Sequence, residues 1–282
     1  MVRQVSRAPI GDPWPAILPA VLLSAAFFLV PIGNMMRLSL TTPDGLGFAN
    51  YVAFFEQAHR SDALLRSLKL ALSATAIAAV LAWPLALFLS FCIPARWRIV
   101  ALLALLAPFW TSFTIRAFSW QLVLSDNGVI AVWIERLTGA PVTLGILYTM
   151  GASVLGLAIF GMMLITLTLF GAMTAIDRRL IEASASLGGT PWAVLRDVIV
   201  PLALPGWLVG VTLTFIICVG DYAVPTLLGG GLNPVLAQMM LSTVKGTYDL
   251  PTAATMAMLL TSVVLLAALP LLALGVMRRA RP

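Results

Sequence analysis

Long stretches without a charged side chain dominate this sequence. A helix of about 20 residues spans the roughly 30 Å apolar core of a bilayer. Six charge-free stretches reach that length and are spread along the whole chain: Pro13–Met36, Leu70–Ala95, Leu137–Ile176, Val198–Gly220, Tyr222–Val244 and Leu250–Met277. The sequence therefore predicts an integral membrane protein with a single transmembrane domain over residues 1–282.

Composition supports this interpretation and argues against other classes. Charged residues make up 10% of the chain and hydrophobic residues 61%, whereas soluble domains carry roughly 25% charged residues. The net charge of +6 comes from scattered Lys and Arg, without the basic patch and interleaved aromatics of a nucleic-acid binder. The only histidine is His59, and Cys92 and Cys218 form no CxxC pair. We therefore expect no metal site, no disulfide framework and no nucleic-acid partner.

Six spans follow once loops are separated from helices. The Tyr222–Val244 stretch contains two prolines and three consecutive glycines, too many breaks for a lipid-exposed helix. We assign it to the end of one helix and a loop able to dip back into the membrane. A further apolar run, from Ile99 to Leu124, is interrupted only by Arg116 and adds a span. The predicted fold is all-α, with spans at residues 16–36, 65–91, 99–124, 145–171, 206–228 and 252–276.

The arginines and lysines predict the orientation in the membrane. With both termini inside, ten of these residues fall in inner segments and seven in outer segments. The bias is clearest at Arg96 and Arg98, in a very short loop, and in the tail that carries Arg278, Arg279 and Arg281. The positive-inside rule then places the N and C termini in the cytoplasm. The basic N-terminal run lacks a clean small-x-small cleavage site, and we interpret it as a retained signal anchor.

The segment between the fourth and fifth predicted spans, about residues 172–205, differs from every other loop. Asp177 is a good N-cap, and Arg178–Leu187 contains no helix breaker. Gly188-Gly189 ends that helix, and Thr190-Pro191 starts another, with Thr as the cap and Pro at the first helical position. The sequence predicts a short helix, a sharp corner and a second short helix on the cytoplasmic face. An interfacial amphipathic helix pair is the alternative on these grounds alone.

The spacing inside this loop resembles a family pattern. Glu182, Ala183 and Ser184, then three residues, Gly188, nine residues and Val198–Pro201 are similar to E-A-A-x3-G-x9-I-x-L-P, the EAA loop of ABC importer permeases. Serine in place of the second alanine, and valine in place of both Ile and Leu, keep size or polarity. The resemblance implies a type I ABC importer permease. Glu182, Ala183, Ser184 and Gly188 would then belong to a coupling loop that docks in a groove of a separate ATPase.

The resemblance covers most of the chain. Five segments are similar to the first permease of the spermidine/putrescine family: Ser67-Leu-Lys-Leu-Ala71, Pro108-Phe-Trp-Thr-Ser112, Ile115-Arg-Ala-Phe-Ser-Trp120, Asn127-Gly-Val-Ile130 and Leu227-Leu-Gly-Gly230. In that family, six helices form half of a heterodimeric pore in the bacterial inner membrane. The implied partners are a homodimeric ATP-binding subunit, a second homologous permease and a periplasmic solute-binding protein. The implied solute is a polyamine such as putrescine or spermidine, with amino-acid derivatives, organophosphonates and iron as open alternatives.

The sequence predicts a transport subunit without catalysis of its own. It contains no G-x-x-x-x-G-K-[ST] phosphate-binding loop, so we expect no cofactor in this chain and ATP only on the partner. A stand-alone secondary transporter would predict intramembrane charge relays and inverted repeats. A membrane-embedded enzyme needs a constellation of His, Asp or Cys at membrane depth. The sequence shows neither pattern.

Four residues are candidates for the translocation pathway: Asp221, Tyr222, Trp110 and Arg116. Asp221 lies about fifteen residues, or roughly 22 Å, into the fifth predicted span, and charges at membrane depth usually face a cavity or a partner. With the ring of Tyr222 it would suit a polyamine through charge pairing and cation–π contact. The alternative is an aspartate that caps the start of a loop. Arg116 is expected to reach the headgroups or pair with an acid, and Trp110 has the aromatic belt as its alternative.

Overall fold

The computed structural model describes residues 14–43, 45–140, 143–231 and 233–279, which are predominantly helical. The helices are α1 (Trp14–Leu40), α2 (Ala49–Glu56), α3 (Ala58–Leu87), α4 (Ala95–Leu106), α5 (Phe113–Leu124), α6 (Val129–Thr138), α7 (Met150–Thr174), α8 (Arg178–Ser186), α9 (Pro191–Val194), α10 (Val200–Gly220), α11 (Ala223–Leu228), α12 (Leu236–Gly246) and α13 (Leu250–Arg279). A two-stranded antiparallel hairpin, β1 (Thr41–Thr42) and β2 (Gly45–Leu46), pairs Thr41 with Leu46. Residues 1–13, with the expected signal anchor and Arg3 and Arg7, and residues 280–282, with Arg281, lie outside the described residues.

Within the described residues, five continuous helices are long and apolar enough to cross a bilayer. They are α1, α3 with its π-helical end Phe88–Cys92, α7, the continuous helix Pro191–Gly220, and α13. A sixth candidate is a bent pair, in which Ala95–Trp110 and Phe113–Thr138 meet at 92°. With this pair counted as one span, the all-α prediction of six spans is confirmed.

The expectation of one helix over residues 99–124 is wrong. After α4, the chain makes a 3-10 turn from Ala107 to Trp110, and Thr111 and Ser112 are extended before α5 begins. Pro108 explains the break, because it has no N–H to donate and its ring clashes with the carbonyl group one turn earlier. The hydroxyl of Thr111 donates to the Pro108 carbonyl oxygen at 2.7 Å. Trp110 therefore lies before the corner and Arg116 after it.

The fifth span begins and ends earlier than the predicted range 206–228. Helix α9 continues through the π-helical segment Leu195–Ile199 into α10, so the second short helix of the loop is the first turn of a membrane span. Pro201 follows this segment, where wider i→i+5 turns accommodate a residue that cannot donate. At the other end, Gly220 is the last helical residue and Asp221 is extended, with φ −77° and ψ 130°.

The Tyr222–Val244 stretch holds more helix than expected. It begins with α11, continues through Gly230 and Gly231, both in the left-handed region, and ends in α12. Leu236 and Ala237 of α12 are buried, and α12 packs against α3 and α13. The sequence predicted a loop over most of this stretch because its breaks are close together. The three glycines and Pro234 do lie between the two helices, whereas Pro225 is in the first turn of α11, where a proline is tolerated.

Small residues build the centre of the helix bundle, where α7 packs against α3 and α10. A Cβ atom on Gly210 would lie 2.9 Å from the Cα atom of Ile165, and one on Gly206 would overlap the Cβ atom of Ala172. The buried alanines on α3 form a stripe that comprises Ala71, Ala74, Ala78, Ala82 and Ala86. Such residues allow close approach of backbones, which is what drives helix association in lipid.

Candidate functional site

The short helix and the sharp corner predicted after the fourth span are present, and the helix that follows the corner is the start of the fifth span instead of a separate short helix. A carboxylate oxygen of Asp177 accepts a hydrogen bond from the Arg179 backbone N–H at 2.9 Å and caps α8. The hydroxyl of Thr190 accepts one from the Ala193 N–H at 3.3 Å and caps the next helix, in which Pro191 is the first residue. The residue types at both caps satisfy N–H groups that a helix start leaves unpaired.

The two corner glycines are required for different reasons. Gly188 has φ +83°, a conformation that L side chains rarely adopt, although a Cβ atom there would have nothing within 4 Å. Gly189 donates to the Ser184 carbonyl oxygen at 3.1 Å, and a Cβ atom on it would lie 2.7 Å from that same oxygen. Gly188 therefore provides the backbone conformation, and Gly189 provides the space for the close approach.

The outer face of the corner is exposed and carries both charge and apolar area. Glu182 and Ala183 are exposed and Ser184 is half-buried. Leu187 is 90% exposed and Trp192 is 69% exposed. Among the described residues, the Glu182 side chain forms no ion pair, since the single pair found there joins Arg196 to Asp197. A large aromatic and a large aliphatic side chain exposed beside an unpaired carboxylate are typical of a surface that binds another protein.

The opposite face of the corner is anchored to the membrane helices. Ile181 and Leu195 pack on a buried cluster that includes Ala86 of α3, Met173 of α7 and Ile199. The corner is therefore held by three elements of the bundle and exposes only its outer surface.

Asp221 lies at the break between α10 and α11. Its two carboxylate oxygens accept hydrogen bonds from the N–H groups of Ala223 and Val224, both at 3.1 Å. This is the geometry of the capping alternative, and the position inside a continuous helix that the sequence suggested is wrong. The adjacent Tyr222 is 50% exposed, so its ring is available to a solute or a partner.

Arg116 lies among aromatic rings. Its guanidinium carbon is 5.3, 5.6 and 5.2 Å from the ring centroids of Phe109, Phe113 and Phe160, distances at which cation–π attraction acts. Its Nη2 donates to the Thr111 carbonyl oxygen at 3.4 Å, whereas its Nε and Nη1 have no partner in the described part of the chain. The expected pairing with an acid is not found there, because aromatic faces surround the guanidinium.

The candidate pathway residues are distributed around the junction of α5 and α11, which pack against each other. Arg116 is on α5, and Asp221 and Tyr222 directly precede α11. Trp110 is 77% exposed and precedes the corner. No hydrogen bond or ion pair joins any two of these four side chains within the described ranges.

A cavity of about 370 Å³ near the start of α7 was not predicted from the sequence. Tyr148 lines it with φ +63°, donates its N–H to the Leu228 carbonyl oxygen at 2.7 Å and accepts a hydrogen bond from the Gln121 side chain at 3.2 Å. A Cβ atom on Gly230 would lie 2.8 Å from the Cβ atom of Tyr148. The Leu227–Gly230 segment was therefore the signal for this site, because the glycine makes room for the tyrosine.

Comparison with known proteins decides the family. Residues 45–281 match the family described as "Binding-protein-dependent transport system inner membrane component". This chain belongs to that family. It is therefore a membrane-spanning permease component of an ABC importer, in which a separate subunit hydrolyses ATP.

Two relatives of this family member confirm the predicted resemblance. The inner membrane ABC transporter permease protein YdcU of Escherichia coli (strain K12) is 31% identical over 199 residues, 67% of this chain and 63% of the relative. The spermidine/putrescine transport system permease protein PotB of the same organism is 28% identical over 243 residues, 84% of this chain and 88% of the relative. The chain thus spans slightly less than two thirds of the length of the first relative and most of the second.

A solved structure confirms the fold. A chain of a bacterial ABC transporter involved in the import of the acidic polysaccharide alginate superposes with a TM-score of 0.75 and 18% identity, covering 95% of this chain and 96% of that one. The type I importer permease fold predicted from the sequence is therefore present. At this identity the likeness concerns the fold alone.

Proposed function

We propose that this chain is a permease subunit of a polyamine importer and moves putrescine or spermidine across the bacterial inner membrane. The similarity to PotB over 84% of this chain carries the proposal. Asp221 and the exposed ring of Tyr222, at the break beside α11, supply a carboxylate and a π face, the groups that an amine cation requires.

We also propose that the corner around Gly188 transmits the energy of ATP hydrolysis. Glu182, Ala183 and Ser184 lie on its outer helix, where Glu182 has no ion pair among the described residues and Leu187 is exposed. A groove with a basic rim and an apolar floor on a homodimeric ATP-binding subunit would complement this surface. That subunit would bind the ATP, and this chain would hold no cofactor.

The remaining partners and the orientation belong to the same proposal. A second homologous permease would complete the pore, and a periplasmic binding protein would deliver the solute. Both termini would be cytoplasmic, which places the corner on the cytoplasmic side and the loop of Gly230 and Gly231 on the outer side.

Arg116 supports a second candidate function. Its Nε and Nη1 are donors without a partner in the described part of the chain, and a fixed guanidinium near a pathway repels a polyamine. A carboxylate or phosphonate group would satisfy these donors in a bidentate manner. An amino-acid derivative or an organophosphonate is therefore the alternative solute, with Trp110 and Arg116 in place of Asp221 as the pathway residues.

Purification of the tagged chain from its host membrane tests the function. Mass spectrometry should identify an ATP-binding subunit and a second permease in the purified complex. Proteoliposomes that contain this complex, with the binding protein added, should take up radiolabelled putrescine or spermidine. Uptake should occur only when ATP is supplied on the side of the membrane that carries the ATPase. Uptake of a phosphonate or an amino-acid derivative without polyamine uptake would favour the second candidate. Polyamine uptake by the chain alone, without an ATPase, would reject the importer assignment.

A further inference from the structure

A small basic cavity lies between α8 and the inner ends of two membrane helices. Its volume is about 240 Å³, and it is lined by Phe91, Arg98, Arg178, Ile181 and Glu182. Phe91 is in the π-helical end of α3, and Arg98 is in the first turn of α4. The other three lining residues are on α8. No step of the proposed transport function uses the two arginines.

The two arginines have free donors. The Nε of Arg98 donates to the Ile93 carbonyl oxygen at 2.9 Å, which fixes the side chain and leaves both Nη groups available. The Arg178 side chain makes no hydrogen bond to any described residue, and neither arginine is within 4.0 Å of a carboxylate oxygen there. Together with Glu182, the lining carries a net charge of +1. It is therefore complementary to a singly charged anion that can accept from a guanidinium fork.

The position of the cavity identifies the kind of anion. The charge-free part of the α3 span begins at Leu70 and ends at Ala95, shortly after Phe91. About 20 helical residues cross the bilayer core, so the cavity is close to the end of the membrane-crossing part of α3. Trp97, next to Arg98, is 54% exposed, as expected for an indole at the headgroup level. A volume below the roughly 300–1,000 Å³ of small-molecule pockets also suits a headgroup better than a nucleotide or a drug-sized solute.

We propose that Arg98 and Arg178 bind the phosphate of an anionic glycerophospholipid headgroup. The lipid then connects α4 with α8, which in the described chain packs against α9 and the Leu195–Ile199 segment. This attachment holds the corner against the membrane surface. The binding does not depend on the solute or on an ATPase.

A lipid titration of the chain purified in a neutral detergent tests this site. Native mass spectrometry should show phosphatidylglycerol binding at least tenfold tighter than phosphatidylcholine. Arg98→Gln and Arg178→Gln should each weaken phosphatidylglycerol binding about fivefold, because each removes one basic group near the headgroup. Arg179→Gln is the matched control and should bind like the wild type, because Arg179 is on the same turn of α8 and outside the cavity lining.

Two results would overturn the proposal. One is unchanged phosphatidylglycerol binding by Arg178→Gln; this variant tests the site independently of Arg98, since it removes no hydrogen bond within the described chain. The other is displacement of the lipid by millimolar inorganic phosphate, which would indicate a site for a free anion. Because the titration uses this chain alone, failure of the lipid proposal and failure of the transport proposal are separate results.

Discussion

The hydroxyl of Ser67 on α3 accepts a hydrogen bond from the backbone N–H of Leu236, the first residue of α12, at 2.8 Å. The same hydroxyl donates to the Ala63 carbonyl oxygen at 3.0 Å, and both Ser67 and Leu236 are buried. A residue of one helix thus caps another that follows it by more than 160 residues. This gives a structural role to the first residue of the Ser67–Ala71 segment.

Ser67→Ala should destabilise the protein by about 1–3 kcal/mol, because it leaves a buried N–H without a partner. Thermal unfolding in detergent measures the loss, and proteolysis of the loop before α12 should become faster. The control is Ser73→Ala, whose hydroxyl donates only to carbonyl oxygens of its own helix, those of Lys69 and Leu70. Equal stability of the two variants would show that the Ser67 hydrogen bond does not hold α12.

Gly210→Ala should cost about 1–3 kcal/mol, because a Cβ atom there would overlap the Thr168 hydroxyl and lie 2.9 Å from the Ile165 Cα atom. Gly171→Ala, on the opposing helix, is the matched control. A Cβ atom on Gly171 has nothing within 4 Å, and alanine is the better helix former by about 1 kcal/mol. The melting temperatures of the two variants should therefore move in opposite directions, and a shift in the same direction would contradict the close contact between α7 and α10.

Glu182→Ala and Gly188→Arg should insert into the membrane at near-normal levels and lose coupling. Glu182 has no ion pair to lose among the described residues, and the left-handed conformation of residue 188 costs a side chain roughly 1–2 kcal/mol. The expected result is weaker association with the ATPase or loss of ATPase stimulation by the loaded binding protein. Removing one partner of a buried charge pair at such an interface costs about 2–5 kcal/mol.

The controls for these two variants are a second substitution at Gly188 and the substitution of an acid on another helix. Gly188→Asn should retain more coupling than Gly188→Arg, since asparagine tolerates the left-handed region better. Glu135→Ala, an exposed acid on α6, should couple normally. Wild-type transport by both Glu182→Ala and Gly188→Arg would leave the corner as an interfacial helix pair.

Single cysteines that replace Arg179 and Gly231 should be labelled from opposite sides of the membrane. Arg179 is in α8 and Gly231 is in the loop before α12, and the proposed orientation places α8 in the cytoplasm and that loop on the outer side. The background must lack Cys92, which is exposed, and Cys218, which is buried. An impermeant maleimide added from the periplasm should modify only the cysteine at 231. Modification of both positions, or of 179 alone, would refute the proposed orientation.

Asp221→Asn should preserve stability and impair polyamine uptake. An asparagine side chain also caps helices well, so it keeps one acceptor for the N–H groups of Ala223 and Val224, whereas Asp221→Ala should cost about 0.5–2 kcal/mol. Melting curves compare the two variants, and uptake at low polyamine concentration tests the charge. Normal uptake by Asp221→Asn would restrict Asp221 to its capping role.

The sequence was informative where local chemistry decides the structure. The caps at Asp177 and Thr190 and the left-handed Gly188 were predictable, because each depends on a few adjacent residues. The extent of the fifth span was not, since a π-helical segment joins α9 to α10 and extends the helix well before the predicted start at residue 206.

Contacts between distant residues also escaped prediction. The aromatic surroundings of Arg116 depend on Phe160 of α7, and the space for Tyr148 depends on Gly230. Neither pairing leaves a periodic pattern in the sequence. The contact at Gly206 and Gly210 on α10 was also not predicted, although two glycines one turn apart are a sequence signal for a close helix contact in a membrane.

The continuous helix from Pro191 to Gly220 has a mechanical consequence. Its 30 residues correspond to about 45 Å at 1.5 Å per residue, with the Gly188 corner at one end and Asp221 at the other. Such a rod converts a tilt of about 3° at the corner into a displacement of about 2 Å at Asp221. The π-helical segment Leu195–Ile199 is one turn from the corner, and it interrupts the regular α-helical hydrogen bonding along this length. In the proposed coupling role, bending at this segment would absorb part of a push on the corner, and only the remainder would reach Asp221 as motion.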